Sequence, residues 1–162
     1  MTDIDAVLTI SIRLGLALIA GMVLGLNRWL HHKSAGIRTH SLVALGAAVG
    51  MLIIDTNTAH DIQANSRVLQ GLVTGIGFLG AGVIIREGNT RKIHGLTTAA
   101  SIWACALLGA AFGSGQFIIG TCALVAIMFI LLSGGWMERS LGNILGINRE
   151  SEVPNDHDET HP

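Results

Sequence analysis

The sequence is short of charge. Of its 162 residues only 13% are Asp, Glu, Lys or Arg, against roughly 25% in an ordinary soluble domain. Long stretches hold almost none of these charges, which gather in short clusters between them. That pattern argues against an ordinary soluble domain and fits a bilayer, where a spanning helix needs about 20 mostly apolar residues. Tyrosine is absent, so the apolar content rests on Leu, Ile, Val and Ala. The net charge of −1 lacks the basic excess that a nucleic-acid partner would require. Only two cysteines occur, Cys105 and Cys122, both inside apolar runs. They are too few for a disulfide framework and read as small buried side chains. The opening Met1-Thr2-Asp3-Ile4-Asp5 is acidic where a secretory signal would be basic, and no small-residue cleavage site follows. The first apolar segment is therefore expected to stay on the protein.

What the chain does have is five apolar runs, at residues 6–26, 41–54, 68–85, 95–112 and 117–132. In lipid every backbone polar group must be satisfied internally, so these runs are expected to be helices. The fold class is all-α: a polytopic membrane protein with about five transmembrane helices, occupying residues 1–135. The second run is short and is expected to borrow flanking residues or to thin the bilayer locally.

Basic residues set the direction. Arg28, Lys33 and Arg38 follow the first run, Arg86, Arg91 and Lys92 the third, and Arg139 and Arg149 the fifth. Eight of the ten basic residues thus fall on one side, expected to be cytoplasmic. The N-terminus is then outside and the C-terminus cytoplasmic. After Leu132, Ser133-Gly134-Gly135 suggests a helix break, followed by a short interfacial helix over 136–147 or by a frayed extension of the fifth span. Residues 148–162 carry five acids and one Arg with Pro154 and Pro162, the composition of a disordered acidic tail.

The 21 glycines cluster in the apolar runs. Gly75-Ile76-Gly77-Phe78-Leu79-Gly80 matches the dinucleotide fingerprint in letters only. It lies mid-span, with no preceding strand and Ala100 rather than an acid about 20 positions on. Gly71, Gly75 and Gly82 read instead as a bare helix face that lets a neighbouring backbone approach. The spacings Ala17-Gly21-Gly25, Gly46-Gly50 and Gly109-Gly113 repeat the device. A locally unwound helix with carbonyls lining an ion path is the alternative.

Arg13 is the one formal charge inside a run. It costs at least a few kcal/mol there unless it pairs or snorkels. Asp55, at the end of the second run, is within reach for a structural ion pair; a snorkelling or functional role is the alternative. The first basic loop carries His31, His32 and His40, and His94 joins them from the second. No Cys or carboxylate stands at ligand spacing, so these read as solvated loop residues or contacts to lipid phosphates rather than a metal site. Thr97, Thr98 and Ser101 near Trp103 lack the His-plus-carboxylate company of a nucleophile. They are expected to bond helix carbonyls or a neighbouring helix. No catalytic residue, cofactor or metal is expected, and the chain is not read as an enzyme.

Three blocks resemble a known family. Gly25-Leu26-Asn27-Arg28 with Ala35-Gly36-Ile37-Arg38-Thr39-His40 through Ala48 looks like the first block of the MgtC/SapB family. Gly75 through Ile84, with Gly77, Gly80 and Gly82, looks like its second. Gly95-Leu96-Thr97-Thr98 through Trp103 looks like its third. The resemblance covers roughly residues 7–132. It implies a multi-pass protein of the bacterial inner membrane, linked to growth in low magnesium and survival inside host cells. Some members are thought to restrain the F-type ATP synthase. Two departures stand out. Asn27 replaces the acid that usually precedes the first-block Arg, and only a short tail follows the fifth run where longer members carry a soluble domain.

The expected function is therefore a non-enzymatic regulator whose partners are the bilayer and another membrane protein or a second copy. The alternative is a transporter or channel, with Mg²⁺ as its cargo. Mg²⁺ favours carboxylates and retained waters, yet Asp55 and Glu87 stand only at run ends.

Overall fold

A computed structural model of the chain describes residues 3–57, 62–86 and 93–144. Five helices carry them: α1 Asp3–Leu30, α2 Ile37–Asn57, α3 Ile62–Val83, α4 Leu96–Gly113 and α5 Phe117–Ile144. All five are long and apolar enough to cross a membrane, so the all-α polytopic architecture stands. Between α3 and α4 the chain adds two short strands, β1 Ile85–Arg86 and β2 Ile93–His94, paired antiparallel with Ile85 opposite His94.

The helices overrun the apolar runs, most informatively in α2. It begins at Ile37 rather than Ser41, so Arg38, Thr39 and His40 belong to the helix and not to a loop. The α1–α2 connection is a tight reversal with His32 at φ 51°. The backbone N–H groups of His31 and Lys33 bond back to the carbonyls of Asn27 and Arg28. The short apolar run thus borrows flanking residues, from Ile37 at its start to Asn57 at its end. In α1, Asp3 and Asp5 stand in the first turn and Arg28 in the last, each complementing the helix dipole.

By contacts the chain divides into residues 1–128 and 129–162. In the first unit α1, α2 and α4 form the core. Gly109 and Gly113 of α4 lie against the α2 backbone: a Cβ on Gly113 would stand 2.6 Å from the Ala48 carbonyl oxygen, and one on Gly109 would overlap that of Ala44. On α1, a Cβ at Gly21 would stand 2.8 Å from the His40 carbonyl oxygen. Such approaches let dispersion act between backbones in a solvent that supplies no hydrophobic drive. The paired positions show α2 and α4 running parallel, with α1 antiparallel to both. Phe112 packs with Ala17, Ala20 and Ala48, and Leu124 of α5 covers them.

The glycines of α3 behave differently. A Cβ at Gly71, Gly75, Gly77 or Gly82 would meet nothing within 4 Å, so these residues are not a contact face within the chain. The contacting stripe is Val68, Leu72, Ile76 and Val83, with Gly80 against Ala99 at 3.6 Å. The α3 helix also stays regular through these glycines.

In the second unit the expected break at Ser133-Gly134-Gly135 does not occur. Helix α5 runs through it to Ile144, and the Ser133 hydroxyl bonds the Phe129 carbonyl at 2.6 Å. In lipid a broken helix would strand backbone groups, which keeps a glycine pair helical. Residues 145–162, including the end of the expected interfacial helix and the acidic tail, lie outside the described residues.

Candidate functional site

The polar residues inside the first unit collect at two places, one toward each end of α1 and α4. Toward the end that carries the α1–α2 turn, Arg28, His40, Thr98 and Ser101 are all at most 4% exposed. Each comes from a different turn of α1, α2 or α4. The expectation that His40 is a solvated loop residue is corrected here: the start of α2 at Ile37 brings it into helix phase facing α4, and it is completely buried. His31 and His32 remain exposed.

The bonds fix how His40 sits. Its Nδ1 lies 3.0 Å from the Gly36 carbonyl oxygen, which can only accept, so Nδ1 carries the proton. Its Nε2 lies 3.1 Å from the Ser101 hydroxyl. That hydroxyl also lies 2.8 Å from the Thr98 carbonyl oxygen, so one proton serves two acceptors. Cys105 donates its S–H to the His40 carbonyl oxygen at 3.1 Å. The Arg28 guanidinium donates from Nη2 to the Thr98 hydroxyl at 3.1 Å, and its Nε has no partner. The cluster therefore ties the starts of α2 and α4 to the end of α1 through side chains that solvent does not reach.

At the opposite end Arg13 forms an ion pair with Asp55, Nη1 to Oδ2 at 2.6 Å. It also donates to the Gly113 carbonyl oxygen at 3.1 Å, at the negative end of the α4 dipole.

Of the residues singled out from sequence, the structure brings together Arg28, Gly36, His40 and Thr98. It leaves Arg38, Thr39, Thr97 and Trp103 facing outward, together with Gly75, Gly77 and Gly82. Gly80 is buried against α4. The two cysteines part company: Cys105 is buried in the cluster, while Cys122 is exposed on α5. Ser101 bonds a helix carbonyl and a neighbouring helix as expected, and Cys105 is buried as expected; what sequence reasoning missed is that both meet His40. The available signal was spacing: His40, Ser101 and Cys105 fall where two parallel helices meet, but only once their register is known. No group of three or more His, Cys, Asp or Glu able to hold a metal occurs among the described residues.

The profile of the MgtC family matches residues 14–140. The chain belongs to the MgtC family. It is 42% identical over 137 residues to protein SrpB of Synechococcus elongatus, covering 78% of this chain and 73% of that one. It is 39% identical over 127 residues to the Escherichia coli K12 protein named "Putative magnesium transporter YhiD", covering 74% and 58%. It is 41% identical over 112 residues to protein MgtC of Salmonella typhimurium LT2, covering 69% and 46%. The chain thus spans most of the first relative and about half of the other two. No solved structure matches it. Family membership and five apolar helices together make this a multi-pass membrane protein in contact with the lipid bilayer.

Proposed function

We propose that this MgtC-family chain is a non-enzymatic, magnesium-linked regulator of the bacterial inner membrane, acting on another membrane protein complex rather than carrying Mg²⁺ itself. The observation that carries the reading is Arg28, a guanidinium buried among α1, α2 and α4. A fixed positive charge there opposes a divalent cation along the core of the helix cluster, as interior arginines do in cation-excluding pores. Ser101 and His40 form half of a nucleophile–base arrangement, but both are sealed from substrate, which supports a structural use for the pair. The clustering of basic residues supports a topology with the α1–α2 turn and the C-terminus in the cytoplasm. The F-type ATP synthase is the partner complex that the family resemblance implies.

Transport remains the competing reading because one relative carries a transporter's name. The experiment that separates them places the purified chain in liposomes loaded with a Mg²⁺-sensitive dye. The expected result is no protein-dependent influx, with co-isolation of the ATP synthase from membranes under low magnesium. Influx that scales with the protein overturns the proposal.

A further inference from the structure

Two positive features converge on the first turn of α4. One is the helix N-terminus. Its cap is Gly95, at φ 93°, which supplies no side-chain hydrogen bond to the free N–H groups of that turn. Gly95 has no substitute here, since a Cβ would overlap the Val83 carbonyl. Such an end carries roughly half a positive charge and several orphan donors. The other is Arg28, which is 4% exposed and bonded to Thr98 in the same turn. Its guanidinium meets one neutral hydroxyl, its Nε is unpartnered, and no described carboxylate pairs with it. Among the described residues this buried cation meets a hydroxyl and the N-terminus of α4, a cost that the carbonyl end of its own helix α1 offsets only in part.

The other side of that turn is open. Leu96 and Thr97 are exposed while Thr98 is buried. At 18 residues, α4 is about 27 Å long, close to the thickness of the hydrocarbon core. Spanning the core at that length puts its first turn at the border of the headgroups.

We propose that the first turn of α4, backed by Arg28, is a binding site for a phosphate group at the membrane surface. Backbone N–H groups of Leu96 and Thr97 receive the phosphate from outside, and the guanidinium neutralises it from within. This is the geometry by which helix N-termini hold anions, reinforced by the residue best suited to phosphate. The phosphate is supplied by a phospholipid headgroup or as the inorganic ion. The site does not depend on which complex the protein regulates.

The test uses the full 162-residue chain, delipidated in neutral detergent. It is titrated with short-chain phosphatidylglycerol, the matching diacylglycerol, inorganic phosphate and acetate, and followed by native mass spectrometry and thermal melting. Loss of the charge behind the turn predicts binding about ten-fold weaker in Arg28→Gln, with Lys33→Gln, an exposed charge in the α1–α2 turn, unchanged. Phosphatidylglycerol binding with that dependence supports a headgroup as the source; inorganic phosphate binding equally well supports the free ion. Should Arg28→Gln not fold, the wild-type chain still decides, because equal stabilisation by diacylglycerol and phosphatidylglycerol with none by inorganic phosphate overturns the site. Equal binding of acetate and phosphate overturns it in favour of a carboxylate from a partner. Equal losses in Arg28→Gln and Lys33→Gln overturn it in favour of diffuse surface charge. Glu87 lies outside the described residues, so Glu87→Gln is included. Strongly non-additive stability losses with Arg28→Gln would show an internal partner and overturn it as well.

Discussion

Arg13 and Arg28 lie on the same helix, about 22 Å apart along its axis, and both meet α4. Arg13 touches its last residue and Arg28 its first turn. Each leaves its Nε without a partner. The difference lies in what faces the charge. Arg13 has a carboxylate, Asp55, and the carbonyl end of α4, so every neighbour favours a cation. Arg28 has the carbonyl end of its own helix, a hydroxyl and the N–H end of α4, with no carboxylate among the described residues. The first arrangement has its counter-charge within the chain and reads as structure. The second has no counter-charge among the described residues, which makes that end of the bundle the place to look for function.

The comparison depends on α4 holding both ends in register, so the largest effect is expected from breaking the seam between them. Gly109→Val drives a side chain into the Ala44 backbone and should cost about 3 kcal/mol or more, read by unfolding in mixed micelles. Accumulation of a normally stable protein would refute the packing described. Next comes Asp55→Ala, which strands Arg13. The pair keeps roughly a fifth of its side-chain surface exposed, so the loss should be about 2 kcal/mol, below the 3–5 of a fully buried pair. The double variant Arg13→Gln/Asp55→Asn should lose less than the sum of its singles; strict additivity would remove the pair from the argument.

Arg28 should respond with the opposite sign. In detergent free of anionic lipid, Arg28→Met replaces an unpaired cation with an apolar chain of similar length, and stability should hold or rise by about 1 kcal/mol. A loss as large as that of Asp55→Ala would erase the distinction between the two arginines. Thr98→Val removes the hydroxyl partner and should cost about 1 kcal/mol. The smallest effect is expected at Gly75→Ala, where a Cβ meets nothing within 4 Å. Its stability should stay within about 0.5 kcal/mol of the parent, in contrast to Gly109.

These contrasts show where sequence reading reaches its limit. Gly71-Gly75 and Gly109-Gly113 share one spacing, yet only the second pair touches another backbone. Spacing places residues on one face of a helix but does not say whether that face turns inward. The same holds for His31, His32 and His40, which look alike in one basic loop. A four-residue extension of α2, from Ser41 back to Ile37, turns one of them into a core residue. In α5, Ser133-Gly134-Gly135 carries the letters of a break but stays helical, because the bilayer penalises unpaired backbone more than glycine favours flexibility.

The sequence by itself determined the class of protein, the five spans and the family, because the hydrocarbon thickness imposes length and apolarity on each segment independently of its neighbours. The register between helices was decided only in three dimensions. It selected which glycines make contacts, which histidine is buried and which arginine meets a carboxylate among the described residues. The physical reason is that close backbone approach depends on both partners at once, and no single segment of sequence contains both.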